Sequence, residues 1–118
     1  MLMNNFDLEE EIIKLKQSGK LIIVEGKKDK IALEKLGIKN IISLSKKPIF
    51  WVIEEISRKN KGVVILTDLD KHGKELFGKL NSGLQYHGVN VDNKFREFLF
   101  KKTKLRQIEG LINYINNH

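Results

Sequence analysis

Three acidic side chains that follow apolar runs have a spacing suited to metal-ion chemistry. Glu25 comes directly after the run 21–24, and Asp68 and Asp70 come just after the run 63–66. Asp68 and Asp70 point the same way if their segment is extended. Converging carboxylates raise one another's pKa, and a hard divalent cation such as Mg²⁺ relieves that conflict. An Asp-x-Asp pair alone is more often two solvated loop aspartates, so the prediction depends on all three acids.

The elements that would position these acids alternate along the chain. Short apolar runs predict strands, and the stretches between them carry apolar residues at helical spacing. The predicted order α-βα-βα-βα-β-α is typical of the α/β class, with a parallel sheet covered by helices on both faces. Ligands of such sheets bind beyond the carboxyl ends of the strands, where the strand order reverses. The predicted strands are 21–24, 41–44, 63–66 and, more weakly, 89–91.

Composition limits the chemistry. The chain of 118 residues contains no cysteine, which excludes disulfides, zinc ribbons and thiol catalysis. It shows no signal peptide and no apolar run long enough for a membrane span, so we expect a cytoplasmic protein that does not bind membranes. The formal net charge of +7 suits a polyanionic partner, although a lysine-rich solvated surface explains the charge equally well.

Two groups of basic residues are candidates for phosphate contact. The first flanks the acids in sequence and comprises Lys27, Lys28, Lys71 and Lys74. The second lies within 94–106 and is predicted to follow a nucleic-acid backbone, whereas the phenylalanines between its members are expected to be core residues. The basic residues of this second group are Lys94, Arg96, Lys101, Lys102, Lys104 and Arg106.

The segments 24–29 (Val-Glu-Gly-Lys-Lys-Asp) and 65–74 (Ile-Leu-Thr-Asp-Leu-Asp-Lys-His-Gly-Lys) resemble the two signature motifs of the Toprim family. That family includes topoisomerases, primases, recombination-repair nucleases and small ribonucleases that mature ribosomal RNA precursors. The resemblance is to a small, stand-alone, archaeal-type member. It implies a three-layer α/β/α, Rossmann-like fold with a four-stranded parallel sheet. Residues 1–118 would form a single domain with its core at about 20–92.

The resemblance also implies roles for individual residues. Glu25 would be the general acid/base and, with Asp68 and Asp70, would hold one or two Mg²⁺ ions, for which Mn²⁺ could substitute. The backbone N–H of Gly73, at a helix start, would meet a phosphate. Glu109 lies in a stretch similar to one that follows the core of the ribosomal-RNA-maturing members. It either adds an acidic group to the site or is an ordinary exposed glutamate.

The larger Toprim activities need parts that we do not find in this sequence. A topoisomerase needs a nucleophilic tyrosine, and Tyr86 and Tyr114 lie away from the acidic loops. A primase needs a template-binding module, and an ATPase-coupled nuclease needs a Walker motif. The leading hypothesis is therefore a Mg²⁺-dependent nuclease acting on structured RNA, with RNA favoured over DNA. The alternatives are a non-catalytic nucleic-acid-binding subunit that works with a partner protein and an enzyme acting on small nucleotides.

Overall fold

The computed structural model describes the backbone of residues 5–116 and the side chains of residues 7–115. Within that range, four strands alternate with helices, and a 3₁₀ turn at Ile108–Gly110 precedes the last helix. The strands are β1 (Leu21–Val24), β2 (Ile41–Ser43), β3 (Gly62–Ile65) and β4 (Asn90–Asp92). The helices are α1 (Asn5–Ser18), α2 (Lys27–Lys35), α3 (Ile49–Lys59), α4 (Lys71–Tyr86), α5 (Lys94–Lys102) and α6 (Leu111–Asn116).

The sheet is parallel, and its strand order is β2-β1-β3-β4. The chain moves outward from β1 to β2 and then returns to the other side of β1 to form β3. The strand order therefore reverses between β1 and β3, and these two strands are central neighbours. Leu21 pairs with Val63 and Ile23 with Ile65. The predicted adjacency of the two strands that precede the acids is thus present.

Alternate residues of the central strands feed two cores, one on each face of the sheet. Ile22 and Val64 belong to the core beneath α1, α2, α5 and the C-terminal segment. Ile23 and Ile65 belong to the core beneath α3 and α4. Strands that are buried on both faces consist of continuous apolar residues, which explains why these strands were recognisable in the sequence. The predicted α/β fold with a four-stranded parallel sheet and helices on both sides is confirmed.

One element and one side chain differ from the prediction. Residues 94–102 form a helix, α5, which the sequence analysis did not predict, and its Phe95 and Leu99 are buried in the first core. Of the phenylalanines expected in the core there, Phe95 is buried and Phe98 is packed against the core, but Phe100 is 41% exposed. None of the helices within residues 5–116 is long and apolar enough to cross a membrane.

Candidate metal and nucleic-acid site

Glu25 and Asp68 are joined directly at the carboxyl edge of the sheet. The Asp68 backbone N–H donates a hydrogen bond of 2.9 Å to Glu25 Oε1. The pairing of β1 with β3 makes this possible, and the Leu66 N–H donates to the Ile23 carbonyl one step earlier on the same ladder. Both acids are partly buried. The two predicted motifs therefore meet at one point in space.

The C-terminal segment closes over the same loop. The Ile108 backbone N–H donates to Asp68 Oδ1 at 2.9 Å, and the Leu69 N–H donates to the Arg106 carbonyl at 2.7 Å. Ile108 and Leu111 are fully buried in the first core, which anchors the segment beside α2. The acidic loop is thus held between β1 and residues that follow the sheet by more than ten positions in sequence.

Asp70 begins α4 as its N-cap. Its Oδ1 accepts a 2.8 Å hydrogen bond from the Gly73 N–H, the arrangement expected for aspartate before a helix. Gly73 also packs so closely on the loop that an added Cβ would lie 2.0 Å from the Asp68 carbonyl oxygen. The buried Thr67 hydroxyl donates to the Gly73 carbonyl at 2.7 Å. These contacts fix the Asp-x-Asp loop to the first turn of α4.

Arg96 supports the loop from α5. Its Nη2 donates to the Asp68 carbonyl at 2.9 Å, and its Nε lies 3.4 Å from the Thr67 carbonyl. The guanidinium stacks on Phe77 of α4, 4.4 Å from the ring centroid. Arg96 was predicted to contact phosphate, but the structure engages its guanidinium with the backbone of the acidic loop. It therefore positions Asp68 in the described structure.

Burial and mutual repulsion raise the pKa values of three carboxyl groups at this edge, Glu25, Asp68 and Asp29. Burial raises the pKa of Glu25, and the nearby charge of Asp68 raises it further. Burial also raises the pKa of Asp68, with further contributions from the Asp70 and Glu109 carboxylates. Asp29, only 7% exposed, has a pKa raised to about 6, chiefly by burial. Its Oδ2 accepts from the Gly26 N–H at 3.0 Å, which forms the N-terminal cap of α2.

The donor set fits a hard divalent cation that keeps part of its hydration shell. The Asp68 N–H occupies Glu25 Oε1, and the Ile108 N–H occupies Asp68 Oδ1. Within residues 5–116, the other oxygen of each of these two carboxylates accepts no hydrogen bond. In that range, no three acidic or histidine side chains are already arranged as a ligand group. Mg²⁺ needs only one or two carboxylates besides water, so Glu25 and Asp68 suffice as a starting pair.

The remaining side chains that were predicted to bind phosphate are all exposed. Among the described residues, the three ion pairs involve the other basic residues Lys14, Lys20 and Arg58. The aromatic ring of Phe100 lies 4.8 Å from Lys74 Nζ and 5.0 Å from the Arg106 guanidinium. The exposed residues are Lys27, Lys28, Lys71, Lys74, Lys94, Lys101, Lys102, Lys104 and Arg106.

The structure differs from the prediction for Gly73 and bears on the role of Glu109, which the sequence left open. The Gly73 N–H, predicted to meet a phosphate, donates to Asp70 instead, so a phosphate would have to displace that carboxylate. Glu109 is exposed in the 3₁₀ turn, yet it is close enough to raise the pKa values of Asp68 and Asp29. It therefore adds negative potential to the site.

Sequence reasoning missed several residues that build the site. The Gly26–Asp29 cap could have been found, because an acidic residue three positions after a helix start is a known capping signal. The contacts of Thr67, Arg96 and the Ile108 N–H carry no comparable local signal. Each joins segments that come together only after the sheet and both cores have formed.

Residues 20–91 match the Toprim domain family. The chain belongs to the Toprim family. A UPF0292 protein of Pyrococcus abyssi is 42% identical over 117 residues, which cover 96% of this chain and 88% of that protein. A UPF0292 protein of Methanocaldococcus jannaschii is 37% identical over 110 residues, covering 90% and 86%. This Toprim chain is therefore similar to small archaeal proteins over nearly their full length.

Two solved structures from Aquifex aeolicus resemble this Toprim protein. One is a small protein with 41% identity and a TM-score of 0.80, covering 86% of this chain and 95% of that chain. The other is the primase structure with its zinc-binding and RNA polymerase domains, with 26% identity and a TM-score of 0.56. It covers 91% of this chain but 28% of the primase chain. Toprim domains bind divalent metal ions such as Mg²⁺ and serve metal-dependent functions related to nucleic acids.

Gly73 provides a test of how α4 is seated on the acidic loop. We expect Gly73→Ala to lower the free energy of unfolding by about 3 kcal/mol, at the upper end for an overpacked side chain, because the new methyl group would overlap the Asp68 backbone. The matched control is Gly78→Ala on the same helix, where the methyl group would meet nothing within 4 Å. Better helix propensity should stabilise that variant by about 0.5–1 kcal/mol. Urea unfolding followed by circular dichroism measures both, and equal stability would contradict the described packing.

The raised pKa of Asp29 predicts a pH dependence of stability. Because the folded-state pKa of about 6 lies above the ordinary 3.8, the folded protein binds the proton more tightly than the unfolded chain. The free energy of unfolding should therefore fall as the pH rises from about 4 to about 6 and stay reduced above that. Asp29→Asn keeps an oxygen for the Gly26 N–H and should show a shallower fall.

Urea unfolding in EDTA at several pH values measures this slope without bound metal. Glu34→Gln, an exposed carboxylate on the same helix, is the control and should keep the wild-type slope. If Asp29→Asn and wild type have the same slope, the assignment of the titration to Asp29 is wrong.

Proposed function

We propose that this Toprim protein is a Mg²⁺-dependent nuclease that acts on structured RNA, and that residues 1–118 form one domain. The observation that supports this most directly is the contact between the Asp68 N–H and the Glu25 carboxylate at the switch point of the sheet. It brings the two motif acids together where ligands of α/β folds bind. The exposed Lys27, Lys28, Lys71 and Lys74, which follow the acids in sequence, supply positive charge that a polyanion requires.

Each acid has a role that follows from its surroundings. Glu25 is the proton-transfer group, because its raised pKa brings it closer to the range in which a carboxyl group can both take and return a proton. Asp68 and Asp70, with Glu25, would hold one or two Mg²⁺ ions, with Mn²⁺ as a substitute. When bound, the metal polarises the scissile phosphate and lowers the pKa of an attacking water.

The chain's own backbone contacts keep Asp68 in place for that role. Arg96 and the Ile108 N–H restrain its carbonyl and carboxylate respectively, while Gly73 packs against its backbone. A site held by packed elements loses little entropy when substrate binds. We assign Arg96 to positioning Asp68 and the surrounding exposed basic side chains to phosphate contact.

A second candidate is a non-catalytic nucleic-acid-binding subunit that gains activity only with a partner protein. One observation favours it: Glu25, Asp68 and Asp70 are not already arranged as a three-ligand group within residues 5–116. Both candidates require phosphate contact, and they differ in whether the isolated protein cleaves its substrate.

Cleavage assays with end-labelled structured RNA, and with DNA as a comparison, distinguish these candidates. With Mg²⁺ or Mn²⁺ we expect the wild type to cleave RNA, and Glu25→Gln to be at least about 100-fold slower because proton transfer is lost. Asp68→Asn should be similarly slow while keeping an acceptor for the Ile108 N–H. Glu9→Gln, exposed on α1, is the control and should cleave at the wild-type rate.

Each variant must first be shown to unfold at the same urea concentration as the wild type, so that a loss of cleavage cannot be due to unfolding. Binding without cleavage on every substrate would support the subunit alternative. Cleavage that is unchanged in Asp68→Asn would reject the proposed site.

Both candidates predict salt-sensitive binding through the exposed lysines. The affinity for RNA, measured by fluorescence anisotropy in EDTA, should fall as a power of salt concentration. Lys71→Gln, beside the acidic loop, should weaken binding. It should also reduce the slope of log affinity against log salt concentration by about 1, which corresponds to the loss of one phosphate contact. Lys59→Gln, exposed at the far end of α3, is the control and should change neither. An affinity independent of salt would contradict phosphate contact.

A further inference from the structure

Two adjacent aromatic side chains are exposed on the first turn of α3. Phe50 is 69% exposed and Trp51 is 45% exposed. The helix itself is strongly amphipathic, and its Val52, Ile53 and Ile56 are buried in the second core. Phe50 and Trp51 therefore lie on the side of the helix where a globular protein ordinarily carries polar residues. Packing within the described chain does not account for them.

This aromatic pair lies at the same edge of the sheet as the acids. After β2, the Leu44 N–H donates to the Val24 carbonyl and the Ser45 N–H donates to the Glu25 carbonyl. The β2–α3 loop thus starts one strand spacing, about 4.8 Å, from the backbone of Glu25. The aromatic pair follows within six residues of Ser45. A strand of nucleic acid crossing the acids could reach it.

The loop that joins the acids to the aromatic pair is basic and conformationally unusual. Lys46 and Lys47 are exposed, and Lys47 Nζ lies 5.9 Å from the Trp51 ring centroid. Ser45 and Lys46 are in the left-handed region, with φ of +46° and +66°, which residues other than glycine rarely adopt. Such strained backbone conformations persist only where the surrounding structure fixes them, and they are concentrated at active and ligand-binding sites.

We propose that Phe50 and Trp51 stack on unpaired bases of a nucleic-acid strand whose phosphates contact Lys46 and Lys47. Stacking on an aromatic ring requires an exposed base face, so the predicted ligand is single-stranded rather than duplex. The charged side chains of the loop between the acids and the aromatic pair are Lys46 and Lys47, both positive, which favours a polyanion over a second copy of the chain. Of the acids about one turn further along α3, Glu55 pairs with Arg58 at 2.9 Å and Glu54 is exposed.

This inference deepens the proposed function by adding a single-stranded segment beside the site. It rests on that function for the identity of the acids, but binding at Phe50 and Trp51 can be measured without cleavage. In EDTA the chemistry is absent, so failure of cleavage and failure of stacking are separate results.

Trp51 is the only tryptophan in the chain and reports directly on the site. We expect an oligonucleotide of about 10 unpaired nucleotides to quench the fluorescence of Trp51. The quenching should follow the same titration curve as binding measured by fluorescence anisotropy of the labelled oligonucleotide. The same oligonucleotide with abasic positions keeps the phosphates but removes the rings, and a blunt duplex hides them. Both should bind more weakly and leave the emission almost unchanged.

Substitutions separate stacking from phosphate contact. Trp51→Ala should weaken binding of the unpaired strand by about 5- to 100-fold, whereas Trp51→Phe should restore most of the affinity. Neither should change binding of the abasic strand. Phe50→Ala should weaken binding while retaining the Trp51 signal. The matched control is Tyr86→Ala, because Tyr86 is 88% exposed at the last residue of α4, away from the acids.

Several outcomes would overturn the proposal. The first is Trp51 emission that does not change when the protein is saturated with the unpaired strand. The second is equal affinity of wild type and Trp51→Ala for that strand. The third is a loss of affinity in Tyr86→Ala as large as that in Trp51→Ala. Emission that changes with protein concentration alone would assign the aromatic pair to a contact between copies of the chain.

Discussion

The hydrogen bond from the Asp68 N–H to the Glu25 carboxylate joins residues that are 43 positions apart in sequence, and the site depends on it. It exists only because β1 and β3 pair in parallel, so that both strands deliver their last residues to the same edge. A hydrogen bond between a carboxylate and a backbone N–H is charge-assisted and short. It partly offsets the cost of burying Glu25 and sets the spacing of the two motifs.

The same cluster of acids has an electrostatic cost in the folded chain. Burial raises the pKa values of Glu25, Asp29 and Asp68, which means that their charged forms are unfavourable in the metal-free fold. The Ile108 and Gly26 N–H groups and the Arg96 guanidinium lower this cost without removing it. A bound cation would remove much of the remainder, so affinity for a divalent ion and the metal-free destabilisation share one origin.

Much of the fold could be predicted from the sequence because its signals are local. The strand 21–24 and the run 63–66 are continuous apolar segments, since both of their faces are buried, and glycine and proline mark the ends of neighbouring elements. The acids were recognisable because they follow those runs. Helix α5 was missed because its many charges and phenylalanines resemble a binding patch when viewed without the core that Phe95 and Leu99 enter. Element type was therefore most visible where burial is two-sided.

The contacts that complete the site could not be predicted, because they join residues that are distant in sequence and have no local signal. Arg96 has the charge of a phosphate-binding residue, and only its distance of 2.9 Å to the Asp68 carbonyl shows its positioning role. Phe50 and Trp51 appear in the sequence as part of an amphipathic helix, and only their exposure distinguishes them from core residues. Charge and hydrophobicity specify what a side chain can do, whereas burial and neighbours decide which use the fold makes of it. Among the basic residues of 94–106, Arg96 therefore holds the acidic loop and Arg106 donates to the Thr103 and Leu105 carbonyls, whereas Lys101, Lys102 and Lys104 are exposed.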